Sequence, residues 1–449
     1  MAKIASVPLA LAAAGLVCAS VAAKAGEPVK LEARLAQPVM KSGETQTNYL
    51  RVSLAGCKPD TNNRTPVNVS FVIDRSGSMQ GMPLAQAREA AIMAINRLGP
   101  NDIASVVTFD DRVELLAPAQ KVTDAGRLTD LVRTIGARGS TAIHAGVVGG
   151  AYEVRRNHDP KRLNRVILLS DGQANIGPSR VGDFITLGRT LLNEGISVST
   201  VGLGMHYNED LMLQLARASD GNHAFARDPS ELIAIFNKEF DDVLGSCAQT
   251  VSIDLDLKPG VKVVRALSRE GAIDGSKAQF KMAQIYAATE HYLLVEVELD
   301  KALASGEQDL GIVKVAYTSP QGGERRSLDA PVRGRFSADE KEVDAAIDVK
   351  VSASVVEQIT RSRAQEAVIL RDKGRHEEAR QMFLQNATDI QRMMATMPSA
   401  MPAGRSRELL QSYEAMSQPV DPAKPGQLNL ERKMMRALDA AKAGAATRY

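Results

Sequence analysis

Tryptophan is absent from this chain, and aromatic residues make up only 4% of it. Platforms that stack bases or sugars need clustered rings, so that mode of recognition has little to work with. An excess of one charge is also missing: 55 basic residues face 53 acidic ones, a formal charge of +2. Without a basic stripe there is no electrostatic case for nucleic acid. The six histidines are scattered, and there is no His-Glu-x-x-His, Walker loop, Gly-x-Gly-x-x-Gly after a strand or Gly-x-Ser-x-Gly elbow. Beyond the first 25 residues no run is long and apolar enough to span a membrane.

What is present begins with a secretory pattern. Lys3 supplies a positive start, Ile4 to Ala23 is uncharged and Ala-rich, and Ala23-Lys24-Ala25 places small residues around a cleavage point. Cleavage after Ala25 is the expectation, with Ala23 as the neighbouring choice and an uncleaved anchor as the structural alternative. Val17 before Cys18 argues against lipid attachment. The mature chain is therefore expected in the periplasm or secreted, with no membrane span after cleavage.

A second feature is a constellation of oxygen-bearing residues. The apolar run Val67 to Ile73 ends in Asp74-Arg75-Ser76-Gly77-Ser78, an Asp-x-Ser-x-Ser turn, with Pro83 opening the helix that follows. Thr141 lies in a loop after Gly139 and Ser140, and Asp171 closes a second apolar run, Val166 to Leu169. Asp-x-Ser-x-Ser alone is weak, because capping and turn formation place such residues after strands for bland reasons. Three loops in this order are a stronger signal. Hard oxygen ligands around a small cavity are what Mg²⁺ or Mn²⁺ requires.

The segment from about 66 to 245 resembles a von Willebrand factor A domain, and Asp74, Ser76, Ser78, Thr141 and Asp171 fill every position of that family's metal-ion-dependent adhesion site. The resemblance implies that the Ser76, Ser78 and Thr141 hydroxyls bind Mg²⁺ or Mn²⁺ directly. Asp74 and Asp171 would act mainly through waters, which leaves the ion electrophilic. It also implies that an Asp or Glu of a partner replaces one water, so the expectation is metal-bridged protein binding or adhesion, not turnover.

The segment's own pattern agrees. Short apolar strands at Val67–Asp74, Ile103–Phe109, Arg165–Ser170 and Ile196–Leu203 alternate with helical patterns at Pro83–Leu98, Ala142–Arg155, Phe184–Glu194, Asn208–Ala218 and Pro229–Leu244. Arg112–Leu116 reads as an antiparallel edge strand and Asn222–Ala226 as a last short one. This is an α/β, Rossmann-like, doubly wound arrangement with a mostly parallel sheet. A 3-2-1-4-5-6 strand order would put the motif residues at the crevice beyond the strands' carboxyl ends.

The flanks read differently. Residues 26–65 and 246–336 alternate polar and apolar residues at Val29–Ala36, Asn48–Leu54, Val251–Leu257, Val261–Leu267, His291–Leu299 and Gly311–Tyr317. They are expected to form one antiparallel β-sandwich into which the α/β domain is inserted. Cys57 and Cys247 bracket that domain, and in an exported chain they are expected to bond. Residues 337–449 read as helical. Val351–Asp372 and His376–Met397 form a hairpin turned at Gly374 whose GRHEEARQMF segment resembles half of a tetratricopeptide unit. Two Pro-rich linkers and a final helix, Leu428–Ala441, follow.

Two other functions compete: a Mg²⁺-dependent hydrolase, and a scaffold whose metal only stabilises it. The hydrolase lacks a visible general base, since Asp74 and Asp171 belong to the ion and His144 has no orienting partner in the sequence. His144 reads as packing, and Asp110 and Asp111 read as a surface turn. The expected partner is an exported or surface protein presenting Asp or Glu. Its identity and the oligomeric state are open.

Overall fold

The computed structural model describes residues 28–57, 65–171, 174–203, 208–226, 231, 235, 245–320, 322–419 and 445–448. The expected signal segment 1–25, the helix from Pro229 to Leu244 except Glu231 and Ile235, and the final helix Leu428–Ala441 lie outside the described residues.

The first flank supplies β1 (Val29–Leu35), β2 (Val39–Lys41) and β3 (Gln46–Gly56). The α/β part then contains β4 (Val67–Asp74), α1 (Met82–Asn96), β5 (Ile103–Phe109), β6 (Val113–Lys121), α2 (Ala125–Arg133), α3 (Ile143–Arg156), β7 (Leu163–Ser170), α4 (Val181–Asn193), β8 (Ile196–Leu203), α5 (Glu209–Ala218) and β9 (His223–Ala226). Its sheet runs β6-β5-β4-β7-β8-β9, which is the expected 3-2-1-4-5-6 order. Every pair is parallel except β5 with β6. Every residue of β4, β5, β7 and β8 is buried, as strands covered by helices on both faces must be. The topological switch falls between β4 and β7, whose last residues lead into Asp74–Ser78 and Asp171.

Two glycines of α3 set its depth. A methyl group at Gly150 would stand 2.3 Å from Val72 Cγ2, and one at Gly146 would stand 2.6 Å from the Phe109 ring. The helix therefore lies directly on the sheet, and the loop before it, which carries Thr141, is drawn to the strand ends.

After the α/β part come β10 (Ser246–Leu257), β11 (Val261–Ala266), β12 (Gly271–Asp274), β13 (Lys277–Tyr286), β14 (Thr289–Leu299), β15 (Gly306–Thr318) and β16 (Arg325–Ser337). One sheet is β1-β3-β14-β11, and the other is β12-β13-β10-β15-β16-β2. Both sheets mix strands from before and after the α/β part, so that part is inserted in a sandwich. One core joins the two sheets: Leu50, Val52 and Leu54 of β3 pack with Ile253, Phe280, Val313 and Tyr317. Cys57, just past β3, is bonded to Cys247 of β10, with Cα atoms 5.9 Å apart. The bond joins the two sheets at the point where the chain leaves for the inserted domain and returns.

The helical region contains α6 (Glu340–Ala345), α7 (Val349–Asp372), α8 (His376–Thr396) and α9 (Ala403–Met416). The α7–α8 turn occurs at Gly374 with φ +77°, a conformation glycine adopts without a steric penalty. Val351 and Val355 of α7 pack on Tyr292 and Leu294 of the sandwich, and Gln358 donates to the Tyr292 hydroxyl at 2.7 Å. A short strand, β17 (Ala445–Arg448), pairs with β14.

Several elements lie outside the sequence expectations. Within PSAMPAG, expected as a Pro-rich linker, α9 starts one residue after Pro402 and buries Tyr413. Helix α2 is not among the expected elements, although Asp124 caps it by accepting from the Arg127 N–H at 3.0 Å. Strand β16 carries four arginines and Pro331, a composition that hides the alternation its burial shows.

Candidate metal centre

Asp74 is the last residue of β4 and is fully buried. Its Oδ1 accepts the Ser76 N–H at 2.8 Å, which folds the chain back into a tight turn. Its Oδ2 accepts the Ser170 hydroxyl at 2.5 Å, so the carboxylate is held between the ends of β4 and β7. Ser76 and Ser78 bring their Oγ atoms to 3.1 Å, and the Ser78 hydroxyl donates to Asp171 Oδ1 at 3.0 Å. Ser78 is exposed while Asp74, Ser76, Thr141 and Asp171 are buried, so the cluster opens to solvent at Ser78.

Thr141 comes from a third loop that hydrogen bonds pin in place. Arg138 N–H donates to the Arg75 carbonyl at 2.7 Å, and Gly77 N–H donates to the Gly139 carbonyl at 3.0 Å. Thr141 N–H donates to Asn175 Oδ1 at 2.8 Å, and its carbonyl accepts the Asn175 and Ile176 N–H groups at 3.1 and 3.3 Å.

The donor set fits a small hard cation. Neighbouring oxygens around an octahedral Mg²⁺, bound at about 2.1 Å, are separated by about 3 Å. The Ser76 and Ser78 hydroxyls have that spacing at 3.1 Å, and Asp171 Oδ1, 3.0 Å from the Ser78 hydroxyl, stands behind it as a hydrogen-bond acceptor. Asp74 is pushed up to about 6, chiefly by burial and further by the charge of Asp171, against the hydrogen bonds from Ser170 and Ser76. A cation bound at the hydroxyls would offset both carboxylates. Among the described residues no group of three or more His, Cys, Asp or Glu could hold a metal, so this candidate depends on its hydroxyls.

Asp110 corrects the sequence reading. Expected on a surface turn with Asp111, it is fully buried, and its Oδ2 accepts from Arg75 Nε and Arg138 Nε, each at 2.8 Å. Burial alone would push its carboxyl up, but the hydrogen bonds from Arg138, the Arg112 backbone, Asp111 and Arg75 hold it well below the usual range. Asp111 stays exposed. His144 packs edge-on against Phe184 at 5.7 Å, and burial lowers its pKa, in keeping with a packing role. Ser170, Asn175, Arg75, Arg138 and Glu114 were not singled out from sequence. Ser170 beside Asp171, Arg75 inside the Asp-x-Ser-x-Ser turn and Arg138 beside Gly139 carry a local hint, and Asn175 and Glu114 carry none.

A family model for the von Willebrand factor type A domain matches residues 68–238. The chain is 27% identical over 326 residues to an uncharacterized protein of Synechocystis sp., covering 70% of this chain and 76% of that one. It is 23% identical to the uncharacterized protein YfbK of Escherichia coli, covering 65% of this chain and 55% of that one. A 180-residue stretch is 27% identical to human inter-alpha-trypsin inhibitor heavy chain H2, covering 38% of this chain and 18% of that one. The chain thus spans about half of YfbK and under a fifth of the heavy chain. Among solved structures, a von Willebrand factor type A protein from Catenulispora acidiphila superposes with a TM-score of 0.72 at 16% identity, covering 95% of this chain and 99% of that one. The ArnB paralog VWA2 of Sulfolobus acidocaldarius gives 0.61, also at 16% identity, covering 91% and 99%. These two share the fold across nearly the whole chain, and the α/β part inserted between the halves of the sandwich is a von Willebrand factor type A domain.

Proposed function

We propose that this chain is a metal-dependent protein-binding module that works outside the cytoplasm and is not an enzyme. The observation that carries the reading is the pair of Ser76 and Ser78 hydroxyls at ligand spacing, with Asp171 bonded to Ser78, Asp74 behind them and the Thr141 loop tied beside them. A bound Mg²⁺ or Mn²⁺ supplies an under-neutralised positive charge that accepts one more oxygen ligand. The chain's part is to hold three hydroxyls and two carboxylates on three pinned loops, leaving Ser78 at the opening. A partner's Asp or Glu is the ligand that matches this chemistry. Binding is favoured over hydrolysis because the nearby proton carriers are committed: His144 packs against Phe184, and Asp110 is held by two arginines. The Cys57–Cys247 bond supports an oxidising compartment.

Calorimetry on the full chain tests the metal: about one Mn²⁺ should bind, and none to Asp74→Ala. Capture from the exported fraction with and without EDTA tests the bridge. Equal capture of the same protein in EDTA would overturn the metal bridge and favour the scaffold.

A further inference from the structure

Asp110 and Glu114 receive both guanidinium groups that flank the candidate metal centre. Asp110 Oδ2 accepts from Arg75 Nε and Arg138 Nε, each at 2.8 Å. Glu114 Oε2 accepts from Arg75 Nη2 at 2.7 Å and from Arg138 Nη2 at 3.1 Å. Arg75 stands between Asp74 and Ser76, and Arg138 belongs to the loop that carries Thr141. Each arginine thus reports for one of the two loops that supply hydroxyls. The Asp110 backbone joins the same node: its carbonyl accepts the Ala142 N–H, adjacent to Thr141, at 2.8 Å. Gly139, with φ +71°, lies so close that a methyl group there would stand 2.7 Å from Asp111 Oδ1 and 3.1 Å from Asp110 Cβ. The node pairs two cations with two carboxylates, so it fixes distance without adding net charge beside the ion.

Charge-assisted hydrogen bonds from paired guanidinium forks are short and directional. A loop held by one fork on each side has little freedom to widen. Mg²⁺ and Mn²⁺ need compact octahedral shells near 2.1 Å, whereas Ca²⁺ takes more oxygens at about 2.3–2.6 Å. We propose that Asp110, acting through Arg75 and Arg138, is a positioning residue that fixes the spacing between the Ser76 and Thr141 loops and so makes the site select small divalent ions over Ca²⁺. This rests on the metal-site reading above and adds to it the origin of ion selectivity.

The test uses the full chain and measures Mn²⁺ and Ca²⁺ affinity by calorimetry, the electron paramagnetic resonance spectrum of bound Mn²⁺, and the thermal midpoint. Arg138 is the practical handle, because its side chain is 60% exposed while that of Asp110 is 1% exposed. Arg138→Ala removes both bonds of the fork, to Asp110 and Glu114, and is expected to weaken Mn²⁺ binding about tenfold, to narrow the Mn²⁺-over-Ca²⁺ preference and to broaden the spectrum. Arg138→Lys keeps the charge without the fork and should recover part of the affinity but less of the preference. Asp110→Asn should act in the same direction, and if it does not fold, Arg138→Ala still decides. Arg155→Ala, which breaks the Arg155–Glu194 pair at 2.7 Å elsewhere on α3, controls for general destabilisation and should change neither affinity nor preference. Wild-type affinity and preference in Arg138→Ala would overturn the inference alone. If the wild-type chain bound no Mn²⁺, or Asp74→Ala bound it unchanged, the metal-site reading would fall and this inference with it.

Discussion

Arg165, fully buried near the start of β7, donates from Nη2 to the Tyr286 hydroxyl at 2.8 Å. Its Nε donates to Ser197 Oγ at 3.0 Å, and Gln284 Nε2 donates to the same oxygen at 3.1 Å. The α/β domain therefore rests on β13 of the sandwich at the amino ends of its strands. Asp171 lies six residues further along the chain, about 20 Å away at strand rise. Docking and the metal face occupy opposite ends of one sheet.

That separation predicts the behaviour of Tyr286→Phe. Loss of a hydrogen bond to a charged group should cost about 1.5–3 kcal/mol, read as a lower urea midpoint at an unchanged m-value. Mn²⁺ affinity should stay at the wild-type value in the same preparation.

Metal binding should itself stabilise the fold. At 100 times its Kd, Mn²⁺ is worth about 2.7 kcal/mol, so EDTA should lower the Tm of the wild-type chain. Asp74→Ala should show no EDTA effect. An equal shift in both would place the ion elsewhere.

Thr141→Ala should weaken partner capture more than metal retention, since one hydroxyl of several is lost. Asn175→Ala should act on the same loop indirectly, because it leaves the buried Thr141 N–H without its 2.8 Å acceptor. That costs about 1–3 kcal/mol, and hydrogen exchange of the 138–142 amides should rise in this variant.

Glu290 predicts a response to acid. Burial alone would raise its carboxyl, but Arg51 and Lys350 reverse that and hold it at about 2. Arg51 Nη1 and Lys350 Nζ lie 2.9 and 3.0 Å from Glu290 Oε1. A depressed carboxylate contributes stability that is present above its unfolded value, near 4.5, and is lost as pH falls toward 2. Lys350 belongs to α7, so between these pH values the helical region should loosen from the sandwich, seen as faster proteolysis of the α7–α8 hairpin. Glu290→Gln should cost about 3–5 kcal/mol at neutral pH by leaving two cations against a neutral group and should flatten the acid response.

The Cys57–Cys247 bond closes a separation of 190 residues, which the chain-entropy model values at roughly 5 kcal/mol at most. Reduction should lower the thermal midpoint without abolishing Mn²⁺ binding, because the bond lies at the docking end of the domain. Mass spectrometry of unreduced peptides should recover the linked pair. Both cysteines alkylated in native material would refute it.

By itself the sequence determined the elements whose signals are local. Unbroken apolar runs at Val67–Ile73 and Val166–Leu169 specify strands buried on both faces, and the strand order expected from their alternation with helices is the one observed. Gly374 marked a turn that only a residue tolerant of positive φ makes cheaply. The two cysteines at the ends of the inserted segment announced their bond. The von Willebrand factor type A architecture was legible for the same reason: its strands, helices and turns each carry their own pattern.

What only the tertiary structure decided depends on residues far apart in sequence. Asp110 carries the local signature of a surface turn and becomes a buried node because Arg75 and Arg138, 35 and 28 residues away, converge on it. Nothing local marks Asn175, which accepts the Thr141 N–H from 34 residues away. Arg165 opens the strand expected at Arg165–Ser170, and nothing local shows that it is fully buried against Tyr286, 121 residues on. Burial of a charged or polar side chain is affordable only once its partners arrive, and their arrival is set by the packing of loops and domains, which no local pattern encodes.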